Sequence, residues 1–105
     1  MQKGLVSIVI PVYQHGKCVK HTIEAVLAQT YRPIEIIIVN DGSQDETDQI
    51  CKEYALQYPE IRYMYMTHSG ASAARNMGIS VARGQYIQFI DADDYPCKTL
   101  TEKLV

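Results

Sequence analysis

The sequence predicts an α/β protein with a mainly parallel sheet. Three observations carry this. Four short runs rich in β-branched or aromatic residues alternate with stretches whose apolar residues recur at helical spacing. The first two runs are apolar almost throughout, as in strands covered on both faces. The ends of three runs carry Tyr13, Asp41, and Asp91 with Asp93, and ligands of open α/β sheets bind outside the carboxyl ends of the strands.

Residues 5–12, LVSIVIPV, suit a strand buried on both faces. Over residues 17–30, Val19, Ile23, Val26 and Leu27 fall at i, i+4, i+7 and i+8, one face of a helix. Arg32-Pro33 stops it, because the residue before a proline avoids helical angles. Residues 34–39, IEIIIV, form a second buried strand ending in the turn cluster Asn40-Asp41-Gly42-Ser43. Ser43 and Glu46 have the spacing of a capping box and start a second helix. Ile50, Cys51, Tyr54, Ala55 and Tyr58 line one of its sides, and Pro59 ends it.

Residues 61–66, IRYMYM, alternate more and suit a strand nearer an edge. A loop at His68-Ser69-Gly70 leads to a third helix over residues 72–82. Ala74, Met77, Gly78 and Val81 are its apolar positions, and Gly84 stands where a C-cap glycine belongs. Residues 85–90, QYIQFI, form a fourth strand running directly into Asp91-Ala92-Asp93-Asp94. The tail after Pro96 has room to begin a fourth helix. With no repeats, low-complexity tracts or linkers, residues 1–105 read as one domain.

A net charge of −2 and the lack of a polybasic run argue against nucleic acid and anionic lipid as partners. No stretch approaches the roughly 20 apolar residues of a membrane span, and the first residues lack the pattern of a secretory signal. Cys18, Cys51 and Cys97 are odd in number and widely spaced, which speaks against a disulfide framework or a zinc cluster. Reduced, mostly buried thiols in a cytosolic protein are expected.

If the first and fourth strands are neighbours, Tyr13, Asp41, Asp91 and Asp93 share one crevice. Carboxylates that close raise each other's pKa unless a cation lies between them. For oxygen-only ligands the simplest cation is Mg²⁺ or Mn²⁺, held by one or two carboxylates plus substrate phosphates. The D-x-D spacing alone describes a solvated turn equally well. Its place after a six-residue apolar strand favours a site.

Four segments together resemble the family 2 inverting glycosyltransferases: VSIVIPVY at residues 6–13, IIVNDGS at 37–43, GASAARNMG at 70–78 and YIQFIDADD at 86–94. They occur in the family's order at about its spacing. The resemblance implies the GT-A fold, a Rossmann-like three-layer α/β/α arrangement with strand order 3-2-1-4. It implies that Pro11, Val12 and Tyr13 line the base and ribose pocket, and that Asp41 accepts from the imide N–H of a uracil-like base. Arg75 would lie on the nucleotide's charged side, Asp91 and Ala92 on its ribose or base side, and Asp93 on the metal. Asp94 is read equally as a partner of that group or as a solvated carboxylate.

The implied donor is a nucleotide-sugar, most simply a UDP-sugar. The acceptor would be a glycan or lipid-linked sugar, in polysaccharide or glycoconjugate synthesis on the cytoplasmic side, peripheral to the membrane's inner face. The family's catalytic base lies downstream of the D-x-D, whereas this chain ends eleven residues past Asp94. The base is therefore expected beyond Val105, and the chain is expected to be a donor-binding region without its acceptor half. Gln14 stands where many relatives carry Asn, and Gln44-Asp45-Glu46-Thr47 where many read T-D-G-T. His68 also replaces a common Asn and is read as a solvent-exposed loop histidine.

Three rivals are weaker. Aspartate-nucleophile phosphatases put D-x-D on their first strand. A dinucleotide-binding domain needs a glycine-rich turn after the first strand, where this chain reads PVYQHG. An EF-hand needs glycine at Pro96. A non-catalytic nucleotide-binding module keeps the fold without the base and remains the principal alternative.

Overall fold

The computed structural model describes residues 2–13, 16–28 and 33–90. The elements run β1 (Gln2–Val12), α1 (Gly16–Leu27), β2 (Ile34–Asn40), α2 (Thr47–Gln57), β3 (Ile61–Tyr65), α3 (Ala71–Val81) and β4 (Gly84–Phe89). The sheet order is β3-β2-β1-β4 and every pairing is parallel. This is the order expected from the sequence. The first two crossovers move the chain outward from β1 on one side, and the third returns it to the other. The strand order thus reverses at the β1–β4 boundary.

The strand period of two sorts the core into two layers. Val6, Ile8, Ile10 and Val12 of β1, with Ile34, Ile36 and Ile38 of β2, pack beneath Val19, Ile23 and Val26 of α1 and Cys51 of α2. Val9, Ile37 and Val39 face the other way, against Ala74 of α3. Each fully buried Val or Ile contributes about 2 kcal/mol, so continuous apolar runs are what a doubly covered sheet requires. On the second face α3 lies close because residue 78 is glycine: a Cβ there would collide with Val9 Cγ1.

One buried polar chain crosses all four strands near the amino end of β2. Arg62 Nη1 of β3 donates to Glu35 Oε1 of β2 at 3.2 Å. Ser7 Oγ of β1 donates to Glu35 Oε2 at 2.5 Å, and the Gly84 amide of β4 donates to Ser7 Oγ at 2.8 Å. The Arg83 amide completes the carboxylate at 2.6 Å, and Arg62 also reaches the Val81 carbonyl at 2.6 Å. Burial pushes the Glu35 pKa up, but the bonds from Ser7, Arg83 and Arg62 outweigh it, and the group sits below its ordinary value.

Three local expectations are corrected. The Ser43–Glu46 capping box does not form: α2 begins at Thr47, and Glu46 makes no side-chain cap bond. Asp45 instead accepts from the Thr47 amide at 3.0 Å, while the Ser43 amide is held by Asn40 Oδ1 at 2.9 Å. Asn40 Oδ1 thus takes the Ser43 amide that a capping-box Glu46 side chain would have to bond. Gly84 is not a helix cap, because α3 ends with Ala82 in extended geometry and Gly84 opens β4. The glycine there answers to crowding, since a Cβ would lie 2.6 Å from Ser7 Oγ and 2.7 Å from the Leu5 carbonyl. Met77 is exposed, and Ala74 and Gly78 form the buried stripe of α3. The expected fourth helix lies outside the described residues.

Candidate functional site

The carboxyl edge of the sheet is shaped first by Pro11. The Val6 amide points toward β2, where it bonds the Pro33 carbonyl at 3.2 Å. Alternation along β1 then turns position 11 toward β4. Proline has no amide to give there, and the β1–β4 register ends at Val9↔Phe89, with the Ile90 amide on the Val9 carbonyl at 3.1 Å. The two strands therefore stop pairing beside the point where strand order reverses.

Asp41 follows β2 at this edge and is only 3% exposed. Its amide bonds the Val12 carbonyl at 2.8 Å, tying it to the end of β1. Its carboxylate binds the β3–α3 loop: Oδ1 accepts from the Ser69 amide at 2.8 Å and Oδ2 from the Gly70 amide at 3.0 Å. His68 Nδ1 lies 2.9 Å from Oδ2 and 3.1 Å from the Asp41 carbonyl. Gly42 makes the approach possible. Its φ is +80°, and a Cβ would sit 2.7 Å from the His68 amide nitrogen.

Tyr13, 43% exposed, stacks on the His68 imidazole with ring centroids 4.2 Å apart and planes 24° from parallel. His68 is thus an exposed loop histidine, as the sequence suggested, and it is also held by Tyr13 and Asp41. The Val12 side chain points into the core, leaving only its backbone at the edge. Pro11 is half-buried beside it. Arg75 is half-buried on the second turn of α3, with no hydrogen bond or ion pair to the described residues. The first turn of α3 has no side-chain cap at Gly70. Its first-turn amides, uncapped among the described residues, and the positive end of the helix dipole suit an anionic group. Asp91, Ala92 and Asp93 lie outside the described residues.

Beneath the edge, Asn40 Nδ2 reaches Tyr63 Oη at 2.9 Å, and that hydroxyl donates to Asp48 Oδ1 at 2.5 Å. Lys52 pairs with the other oxygen of Asp48 at 3.1 Å. Burial and then the Asp48 bond push the Tyr63 phenol well above its ordinary range, so it stays a neutral donor. The β2–α2 turn is thereby braced from below.

Sequence reasoning named Tyr13 and Asp41, which the structure brings to one edge, but not the Ser69 and Gly70 amides or the contacts of His68. The partners lie 28 and 29 residues from Asp41, beyond any local spacing rule. The available signal was the short HSG loop, which the topology delivers to the same edge.

The sequence model of Glycosyl transferase family 2 matches residues 7–105. The chain belongs to this family. Among curated relatives, an uncharacterized glycosyltransferase of Escherichia coli K12, YibD, is 44% identical over 99 residues, covering 94% of this chain and 29% of the relative. The crystal structure of Staphylococcus aureus TarS 1-349 in complex with UDP-GlcNAc superposes with a TM-score of 0.86 at 26% identity, over 94% of this chain and 29% of that one. A Pyrobaculum calidifontis mannosyltransferase, solved with GDP-Man and Mn²⁺, shares the fold at TM-score 0.83 and 22% identity, over 90% of this chain and 29% of that one. The chain thus spans about a third or less of these relatives, and its β3-β2-β1-β4 sheet is that of the GT-A fold. Among the described residues, no helix is long and apolar enough to cross a membrane.

Proposed function

We propose that this chain is the donor-binding region of an inverting, metal-dependent glycosyltransferase that takes a UDP-sugar. The observation that carries the reading is the meeting, at the carboxyl edge of a family 2 sheet, of an exposed aromatic ring at Tyr13, the buried carboxylate of Asp41 and the uncapped start of α3. The TarS complex with UDP-GlcNAc, on a chain 26% identical, supports a nucleotide-sugar ligand.

In this reading the base lies against the open face of Tyr13, near Pro11 and the backbone of Val12. The N–H of a uracil-like base would be read at Asp41, where Oδ1 already serves one donor and Oδ2 two. A carboxylate has about four acceptor sites, so one place remains, at Oδ1. The α3 amides and Arg75 face the diphosphate, while Asp91 and Ala92 take the ribose side.

The donor set fits a hard divalent ion. Asp93 and the donor's phosphates supply only oxygen, which suits Mg²⁺ or Mn²⁺. Asp93 would hold the ion, whose chemistry when bound is Lewis-acid neutralisation of the departing diphosphate. Inverting transfer needs a general base on the acceptor hydroxyl, which belongs to the family's downstream region. The acceptor, a glycan or lipid-linked sugar, would bind there, with the enzyme at the inner face of the membrane.

Calorimetric titration with UDP, GDP and dTDP in the presence of Mn²⁺ tests the donor. Preferential binding of UDP supports the reading. Equal binding of all three would remove Asp41 as a base reader, and binding of none would remove the nucleotide site.

A further inference from the structure

His68 stands on the side of Tyr13 that the mechanism above leaves unused. Its Nδ1 faces two acceptors, the Asp41 carbonyl at 3.1 Å and carboxylate Oδ2 at 2.9 Å. Neither can donate, so Nδ1 carries the hydrogen, and the forked contact fixes the plane of the ring. The backbone beneath is also held: Gly42 packs against the His68 amide, and the next two amides bond Asp41. Tyr13, in contrast, makes no hydrogen bond among the described residues, and its ring contact there is the His68 imidazole.

We propose that His68 is a positioning residue for the nucleobase. Clamped to Asp41, it backs the Tyr13 ring and sets the plane against which a base stacks, so the aromatic face and the carboxylate that read the base are held as one unit. This rests on the nucleotide-sugar reading above and adds a selective element to it. An unsupported Tyr13 would rotate, and a base would have to immobilise it on binding. A ring already stacked on one face offers the other without that cost. His68 touches neither the diphosphate nor the reacting carbon in this arrangement. Its influence is confined to ligands that carry a base.

The test is a double-mutant cycle read by calorimetry with two probes, UDP and inorganic pyrophosphate, each with Mg²⁺. His68→Ala and Tyr13→Ala should each weaken UDP about tenfold, the size of an aromatic contact. The double variant should be no weaker than Tyr13→Ala, and pyrophosphate affinity should be unchanged throughout. His68→Asn keeps a donor for Asp41 without a ring, so it should lose the UDP contribution while retaining the native melting temperature. It carries the test if His68→Ala fails to fold.

Full UDP affinity in His68→Asn, additive losses in the double variant, or equal losses for pyrophosphate would each overturn the proposal while leaving the donor reading intact. A wild-type chain that binds no UDP would overturn the donor reading itself, and this inference with it.

Discussion

The Gly70 amide and Asp41 Oδ2 lie 3.0 Å apart across 29 residues of sequence. With the neighbouring Ser69 amide on Oδ1, this bond docks the start of α3 onto the end of β2. The same carboxylate is thus both an anchor of the fold and the proposed reader of the base.

Asp41→Ala should therefore cost stability as well as binding. Hydrogen bonds to a charged group contribute about 1.5–3 kcal/mol each, and two loop amides lose their acceptor together. A loss of about 3 kcal/mol in urea-induced unfolding is expected. A variant as stable as wild type would mean the loop docks by other contacts.

The Glu35 network makes a pH prediction. Its folded pKa lies below the ordinary 4.5. The stabilisation is therefore present above the unfolded value and is lost as pH falls through the lower, folded value. Urea midpoints of wild type should fall steeply in that acid range and those of Glu35→Gln less so, with Asp48, also held low by the Tyr63 bond, supplying part of the remainder. Parallel curves for the two proteins would contradict the assignment. At neutral pH Glu35→Ala should be more damaging, about 3 kcal/mol, because it strands the half-buried Arg62.

Gly78→Ala tests the close approach of α3. The new methyl would meet Val9 Cγ1, so destabilisation of about 1–3 kcal/mol is expected from overpacking. Combining it with Val9→Ala should give a loss smaller than the sum of the two singles. Additive losses in thermal melts would indicate that α3 shifts freely.

Cys51 is buried and free, and burial pushes its thiol pKa up to about 12. In a Cys18→Ser, Cys97→Ser background it should resist a thiol-specific reagent at neutral pH and label only on unfolding. Rapid labelling of the folded protein would show that α2 opens.

The fold was legible because its strands are apolar on both faces: Ile36, Ile37 and Ile38 in succession fit nothing shallower than a covered sheet. The polar interior was not. Ser7 and Glu35 each interrupt an apolar run, and nothing local says that they bond one another or that Arg62 joins them. Gly84 followed a helix at cap spacing, but a crowding partner on β1 decided its identity. At the candidate site, strand-end position put Tyr13 and Asp41 at one edge of the sheet. The stack with His68 depends on a loop brought back by the third crossover, a tertiary fact with no periodic signature.

UDP titration with and without Mn²⁺, in wild type and in Asp93→Ala, tests most directly the proposed grip on a nucleoside diphosphate through a divalent ion at Asp93. Binding should require Mn²⁺ and weaken at least about tenfold in Asp93→Ala. Tight binding indifferent to both the ion and the substitution would contradict the account.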